Sequence, residues 1–129
     1  MRASDAPSIE AAFKTLAQRT SGLLVAADPF FFGEREKIVA LAAQYKLPAM
    51  HEWRQFVEAG GLASYGTKLK DAYRQAGMYA ARILRGEKPA DLPVVQSSQF
   101  EFVINAKTAK ALGLPIPTAM QLLADEVIE

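Results

Sequence analysis

Short apolar runs alternate with amphipathic stretches along most of this chain, and this alternation limits the folds open to it. Residues 23–27 contain no polar side chain, which is typical of a strand buried on both faces of a parallel sheet. Similar patterns predict strands at 47–51, 62–65 and 100–104, and helices over 9–19, 34–45, 53–59, 67–85, 107–112 and 118–124. The alternation of helices and strands predicts an α/β fold, with a mostly parallel sheet flanked by helices.

Local signals refine three parts of this pattern. Ser8 is the expected N-cap of the first helix, and residues 1–8 are expected to be disordered or extended. Apolar and aromatic residues alternate with Glu101 and Val103 in the strand at 100–104, which predicts one wetter face and a position near the sheet edge. The chain is expected to end in a solvated acidic tail that contains Asp125 and Glu126.

Composition excludes several classes of function. The formal net charge of the 129 residues is +1, whereas a dedicated nucleic-acid binder usually has a basic excess. The chain has no Cys and one His, so thiolate sites and multi-His metal sites within one subunit are excluded. No apolar run approaches the ~20 residues that span a membrane, and the N-terminus does not resemble a secretory signal. We expect no nucleic-acid partner, metal or cofactor, and a cytoplasmic location if this is the natural full length.

Ligands of open parallel sheets bind where the strands end. Three predicted strands end in polar groups beside aromatic rings, a composition typical of small-molecule pockets. The candidate ligand-binding residues are Asp28, Phe30, Phe31, His51, Glu52, Trp53, Tyr65 and Gly66.

The segment Asp28-Pro29-Phe30-Phe31-Phe32 supports two interpretations, because three consecutive phenylalanines cannot all point into one core face. In the first, Asp28 accepts hydrogen bonds from a ligand amine or hydroxyl, and the rings stack on the ligand. In the second, Asp28 caps the helix at 34, and the rings cover the sheet end or a contact between subunits. The sequence leaves both interpretations open.

The pair His51-Glu52 also has two interpretations. A zinc protease needs His-Glu-x-x-His, and position 55 is Gln, so that motif is absent. His51 and Glu52 are then either satisfied surface or interface groups, or polar contacts in a pocket. Trp53 belongs either to the core or an interface, or to a platform for the ligand. No catalytic constellation is present in the sequence.

Several stretches resemble one known family. Residues 27–32, 52–66, 83–94, 100–105, 107–114 and 124–129 are similar to ABC-transporter substrate-binding proteins. The resemblance implies a type I periplasmic-binding fold, with two α/β lobes around a cleft. It also implies a periplasmic or extracytoplasmic protein without catalytic activity, which delivers a small solute to an ABC permease.

The resemblance covers only the C-terminal part of family members, which are more than twice as long. It implies that residues 9–52 and 94–129 are second-lobe segments and that 62–86 is a first-lobe segment.

The resemblance also implies a place for each candidate residue. Asp28, Phe30 and Phe31 would line the cleft from one lobe. Tyr65 and Gly66 would face it from the other, with residues 51–53 at the hinge side. Family members often have Tyr and Ser at the positions of His51 and Trp53.

Partners follow from the same resemblance. A partial fold leaves strand edges and the long helix unpartnered, so we expect a homodimer or swapped oligomer. The aromatic cluster with an acid suits an amino acid or another amphipathic solute. Two alternatives remain: a cytoplasmic regulatory or interaction module derived from a binding lobe, and a small α/β enzyme that uses Asp28, His51 and Glu52 as acid/base groups.

Overall fold

A computed structural model describes residues 3–96 and 99–129. Helices and strands alternate through most of the chain, and this confirms the predicted α/β class. The helices are α1 (Ala6–Leu16), α2 (Pro29–Gly33), α3 (Arg35–Gln44), α4 (Arg54–Glu58), α5 (Leu69–Leu84), α6 (Ala106–Ala111) and α7 (Thr118–Leu123). The strands are β1 (Leu23–Leu24), β2 (Ala49–His51), β3 (Ala63–Thr67), β4 (Phe100–Asn105) and β5 (Glu126–Ile128), and a 3₁₀ turn covers Pro89–Asp91.

The five strands form one sheet in the order β1-β2-β3-β4-β5. The pairs β1–β2, β2–β3 and β4–β5 are parallel. The N–H of Asn105 donates to the carbonyl of Leu62, and the ring of Phe102 contacts the ring of Tyr65. These contacts place the end of β4 beside the start of β3, so β4 runs antiparallel to β3. The starts of β4 and β5 therefore lie at the same end of the sheet as the last residues of β1, β2 and β3.

Contacts between residues divide the chain into two compact units. The first runs up to Gly66 and resumes from Glu101 to Glu129, and the second is Thr67–Phe100. The segment 62–86, which was expected to act as one first-lobe piece, is divided by this boundary. Most of β3 lies in the first unit beside β2, whereas α5 lies in the second. The assignment of segments to lobes stays a prediction.

The core of the first unit forms where α1 and α3 pack on β1 and β2. Its buried side chains are Ile9, Phe13, Val25, Ile38, Val39, Ala42, Leu47, Ala49 and Phe56. Full burial of one large apolar side chain stabilises a fold by about 1.5–3 kcal/mol. This core fixes the strands whose ends carry most of the candidate residues.

Helix α1 begins before residue 9 because Asp5, rather than Ser8, is its N-cap. The carboxylate of Asp5 accepts a hydrogen bond from the N–H of Ser8 at 2.8 Å, and the Ser8 hydroxyl accepts one from the N–H of Asp5 at 3.1 Å. This reciprocal pair is a capping box. The expectation of a disordered or extended segment up to residue 8 is therefore wrong for residues 6–8. Residues 1 and 2 lie outside the described residues.

Strand β1 is shorter and more exposed than predicted. It contains only Leu23 and Leu24, and the Leu24 side chain is 74% exposed. The apolar run was interpreted as a strand buried on both faces, but β1 is an edge strand of the sheet. The unpredicted helix α2 follows it and occupies the segment that was assigned to a connection.

Strand β4 reverses the predicted pattern of burial. Phe100 is exposed and Phe102 is half-buried, whereas Glu101 and Val103 are buried. The strand lies between β3 and the edge strand β5, so it is next to the edge of the sheet but is not itself an edge strand. Asp125 and Glu126 are both exposed, as the prediction of a solvated acidic tail requires, but Glu126 also begins the strand β5.

The second unit is built around α5, none of whose side chains is buried. The Tyr79 hydroxyl donates to the Pro93 carbonyl at 2.6 Å, and Arg82 pairs with Glu87 at 2.6 Å. These bonds tie the segment after the helix back to its surface. No helix among residues 3–96 and 99–129 has both the length and the apolar character needed to cross a membrane.

Candidate functional site

The candidate residues lie in the first unit, at the end of the sheet where β1, β2 and β3 terminate. Because β4 and β5 begin at this same end of the sheet, the side chains of their first residues lie there as well. We call this end of the sheet the strand-end surface and define it as residues 28–32, 51–54, 65–66 and 101–102. The elements that meet there are the ends of β2 and β3, the starts of α2 and α4, and the start of β4.

Asp28 is the N-cap of α2. Its Oδ1 accepts a hydrogen bond from the N–H of Phe30 at 2.8 Å, and Pro29 occupies the first turn, where its missing N–H has no cost. The helix that Asp28 caps therefore begins at 29 and not at 34. The capping bond agrees with the structural interpretation of Asp28, and a contact with a ligand stays a prediction.

The three consecutive phenylalanines are all half-buried and pack against the edge of the core. The rings of Phe30 and Phe31 lie 5.7 Å apart between centroids. Phe32 meets Trp53 edge to face at 5.3 Å, and the guanidinium of Arg35 lies 5.3 Å from the Phe32 ring centroid. Each ring therefore divides its surface between the core and the strand-end surface.

His51 is buried at the end of β2, with 1% of its surface exposed. Its ring stacks on Phe56 at 4.5 Å between centroids, and neither ring nitrogen has a hydrogen-bond partner among the described residues. Burial lowers the pKa of His51 to about 4, so the ring is neutral at neutral pH. The interpretation of His51 as a satisfied surface or interface group is therefore wrong.

Glu52 lies against Gly66. A Cβ added to Gly66 would come within 2.5 Å of the Glu52 Cγ and even closer to the Glu52 carbonyl oxygen, so only glycine fits there. The half-buried Glu52 carboxylate has no hydrogen bond or ion pair within the described part of the chain. A half-buried carboxylate without a cation beside it can accept a ligand ammonium group.

Two further aromatic residues, Trp53 and Tyr65, belong to the strand-end surface. Trp53 is half-buried against Phe32, and Tyr65, in β3, is 58% exposed with its ring 6.3 Å from that of Phe102. Both lie next to Glu52 or Gly66 in the chain. The structure therefore brings the unpaired Glu52 carboxylate and several aromatic rings to one end of the sheet.

Sequence reasoning missed Arg54, which follows Trp53. Its guanidinium bonds three carboxylates, those of Glu58 at 2.8 Å, Glu101 at 3.1 Å and Glu126 at 2.8 Å. The hydrogen bond to Glu58 and then that to Glu126 raise the pKa of Arg54 further above its already high ordinary value. The spacing of four residues to Glu58 on α4 was the one signal in the sequence.

The residues of the enzyme alternative do not form an acid/base group. Within the described residues, no hydrogen bond joins any two of Asp28, His51 and Glu52, and both nitrogens of His51 lack a partner. A general acid or base has to reach the atoms that it protonates or deprotonates. Buried against Phe56, the His51 ring does not share a site with the other two side chains.

A separate apolar cavity of about 170 Å³ lies between α1 and β1. Leu16, Leu23 and Phe31 are among its lining residues, and Phe31 is the only candidate residue there. Ligand pockets usually enclose about 300–1,000 Å³ and contain a few polar groups. The strand-end surface, with its free carboxylate, is therefore the better candidate for a solute site.

Comparisons with known proteins show what this chain is similar to. A tyrosine-binding protein of Clostridioides difficile is 26% identical over 111 residues, which are 86% of this chain and 32% of that protein. A conserved domain protein from Vibrio cholerae superposes with a TM-score of 0.87 at 27% identity, over 94% of this chain and 41% of its own. An ABC domain from Streptococcus pneumoniae in complex with L-Trp gives 0.86 at 30% identity, over 95% and 42%.

The chain thus spans between about a third and two fifths of the length of these relatives. Residues 1–128 match the model of a family described as ABC transporter substrate binding protein. Its members bind substrates and are not enzymes, so the enzyme alternative is wrong. Because the match covers nearly every residue, the chain belongs to the ABC transporter substrate-binding protein family.

Proposed function

We propose that this chain is part of the solute-binding component of an ABC-type importer, and that its strand-end surface binds an aromatic amino acid. The observation that carries the proposal is the unpaired Glu52 carboxylate, which lies on the same strand-end surface as the aromatic rings of Trp53 and Tyr65. Two relatives support the choice of ligand, since one is named for binding tyrosine and another was solved with L-Trp.

The chemistry of the surface suits such a ligand. An aromatic amino acid carries an ammonium group and an aromatic ring on one small frame. The Glu52 carboxylate can pair with the ammonium, and the Trp53 and Tyr65 rings can contact the ligand ring in offset or edge-to-face geometry. Gly66 keeps Glu52 in its place, because any larger residue would displace it.

Calorimetric titration with L-tyrosine, L-tryptophan, L-leucine and L-glutamate tests the proposal. We expect saturable binding of the two aromatic amino acids and weaker or no binding of the other two. Glu52→Gln should weaken binding, because it removes the charge that pairs with the ammonium. Glu36→Gln is the matched control, since Glu36 is an exposed carboxylate on α3. A folded protein that binds no amino acid would contradict the proposal.

Partners form a further part of the proposal. We propose that the loaded protein works outside the cytoplasm and delivers its solute to an ABC permease, which membership of the family supports. We also propose that copies of this chain associate as a homodimer or swapped oligomer. Support comes from α5, which has no buried side chain, and from the exposed Leu24 on the edge strand β1. Light scattering tests the association, and a monomeric mass at micromolar concentration would contradict it.

A further inference from the structure

We infer that Arg54 is a positioning residue for the solute site: it holds the Glu52–Trp53 segment in place by joining α4 to β4 and β5. The inference rests on the proposed function, because it concerns how that site is kept in shape. Arg54 itself does not need to touch the solute.

The first support is the geometry of the guanidinium. Its three nitrogens each bond a different carboxylate, and these belong to three elements: Glu58 in α4, Glu101 in β4 and Glu126 in β5. A planar guanidinium offers five N–H donors in a fixed fork, whereas a lysine ammonium acts as a point charge. Only arginine can therefore serve all three carboxylates at once.

The second support is what else fixes the segment. Glu52 and Trp53 lie in the bend between β2 and α4, and Trp53, the N-cap of α4, makes no side-chain capping bond. The Trp53 ring meets Phe32 of α2 on one side. On the other side, the contacts of Arg54 with β4 and β5 provide the polar anchor. Without Arg54, the segment would keep the Trp53–Phe32 contact, the packing of Glu52 on Gly66 and its own backbone, but no polar side-chain anchor.

The third support is the link to the opposite side of the surface. Glu101, which Arg54 bonds, precedes Phe102 in β4, and Phe102 contacts Tyr65 in β3. Arg54 therefore couples Trp53, its neighbour in the chain, to the strand that supports Tyr65. Arg54 thereby links the Trp53 side of the strand-end surface to the Tyr65 side.

The test compares Arg54→Lys with Arg82→Lys. Arg82 is the matched control, because it also forms an ion pair, at 2.6 Å with Glu87, but lies in the second unit. Two quantities are measured: the affinity for L-tyrosine by calorimetry, and the acrylamide quenching of Trp53, the only tryptophan, without ligand. Circular dichroism verifies that each variant is folded.

We expect Arg54→Lys to weaken L-tyrosine binding by about tenfold or more, because small misplacements of binding groups are costly. We expect Trp53 to be more easily quenched in this variant, and Arg82→Lys to match the wild type in both measurements. A folded Arg54→Lys protein with wild-type affinity and quenching would overturn the inference.

Two further outcomes are covered by the same design. If Arg54→Lys does not fold, Glu126→Gln removes one half-exposed partner and should give a smaller change in the same direction. Unchanged affinity and quenching in Glu126→Gln would then overturn the inference. If the wild type binds no amino acid, the proposed function fails, and the quenching of Trp53 without ligand alone decides whether Arg54 positions the segment.

Discussion

The Glu101 carboxylate in β4 accepts a hydrogen bond at 3.1 Å from the guanidinium of Arg54 in α4, and only 10% of the Glu101 side chain is exposed. This pair explains why a charged residue occupies a buried position in the middle of the sheet. A buried carboxylate is tolerated when a cation and hydrogen bonds compensate for lost hydration. The pair also joins two elements that are far apart in the chain.

The first prediction concerns this pair. Glu101→Gln keeps the size of the side chain but removes the charge, and we expect the free energy of unfolding to fall by about 1–2 kcal/mol. The control is Glu10→Gln, which breaks the exposed ion pair with Lys37 and should cost less than about 1 kcal/mol. Urea denaturation measures both. Equal losses in the two variants would show that the burial of Glu101 does not matter.

The second prediction concerns Gly66. A Cβ at this buried position would collide with Glu52, so Gly66→Ala should destabilise the protein and weaken solute binding. The control is Gly77→Ala in α5, where nothing lies near the new atom. Replacing a glycine inside a helix by alanine usually stabilises by about 0.5–1 kcal/mol. Thermal unfolding should move in opposite directions for the two variants, and a Gly66→Ala protein as stable as the wild type would contradict the prediction.

The third prediction concerns pH. Burial lowers the pKa of His51 to about 4, from 6.5 in the unfolded chain. Between these pH values the unfolded state binds more protons than the folded state. The free energy of unfolding therefore has its full value above pH 6.5 and falls as the pH drops toward 4. The loss over this window should be about 3 kcal/mol.

Urea denaturation at pH 7, 5.5 and 4 measures this loss. His51→Phe removes the only histidine of the chain and should flatten the pH dependence over the same window. The comparison of slopes, rather than of absolute stability, isolates the titration of His51, since a Phe can also change the packing against Phe56. Identical slopes in the two proteins would refute this account of His51.

The sequence predicts the elements well where apolar spacing is regular, as in α3 and α5. The prediction fails where contacts with residues distant in the chain determine burial or strand formation. Glu101 is buried because Arg54 lies 47 positions earlier in the chain, and no local pattern contains that information. Glu126 begins a strand because β4 offers a free edge for pairing. The preceding residue, Asp125, donates its backbone N–H to the Phe102 carbonyl, and its carboxylate accepts a hydrogen bond from the Phe102 N–H. Composition alone indicates a solvated tail.

The candidate site shows the same division. The order of the elements predicts that the candidate residues share one end of the parallel strands, and the structure places them there. That order does not say which side chains turn inward. His51 and Glu52 are neighbours in the chain, yet the first is buried against Phe56 and the second lies over Gly66. Alternation along the end of β2 separates them, and only the packed structure shows which one faces inward.

The last prediction separates the two interpretations of Asp28. Asp28→Ser keeps an oxygen that can cap α2, whereas Asp28→Ala removes the cap and should cost about 1 kcal/mol of stability. If the carboxylate also contacts the solute, Asp28→Ser should keep the stability of the wild type but bind L-tyrosine more weakly. Thermal unfolding and calorimetry on both variants give the answer. Wild-type affinity in Asp28→Ser would assign Asp28 to capping alone and leave Glu52 as the acidic group of the site.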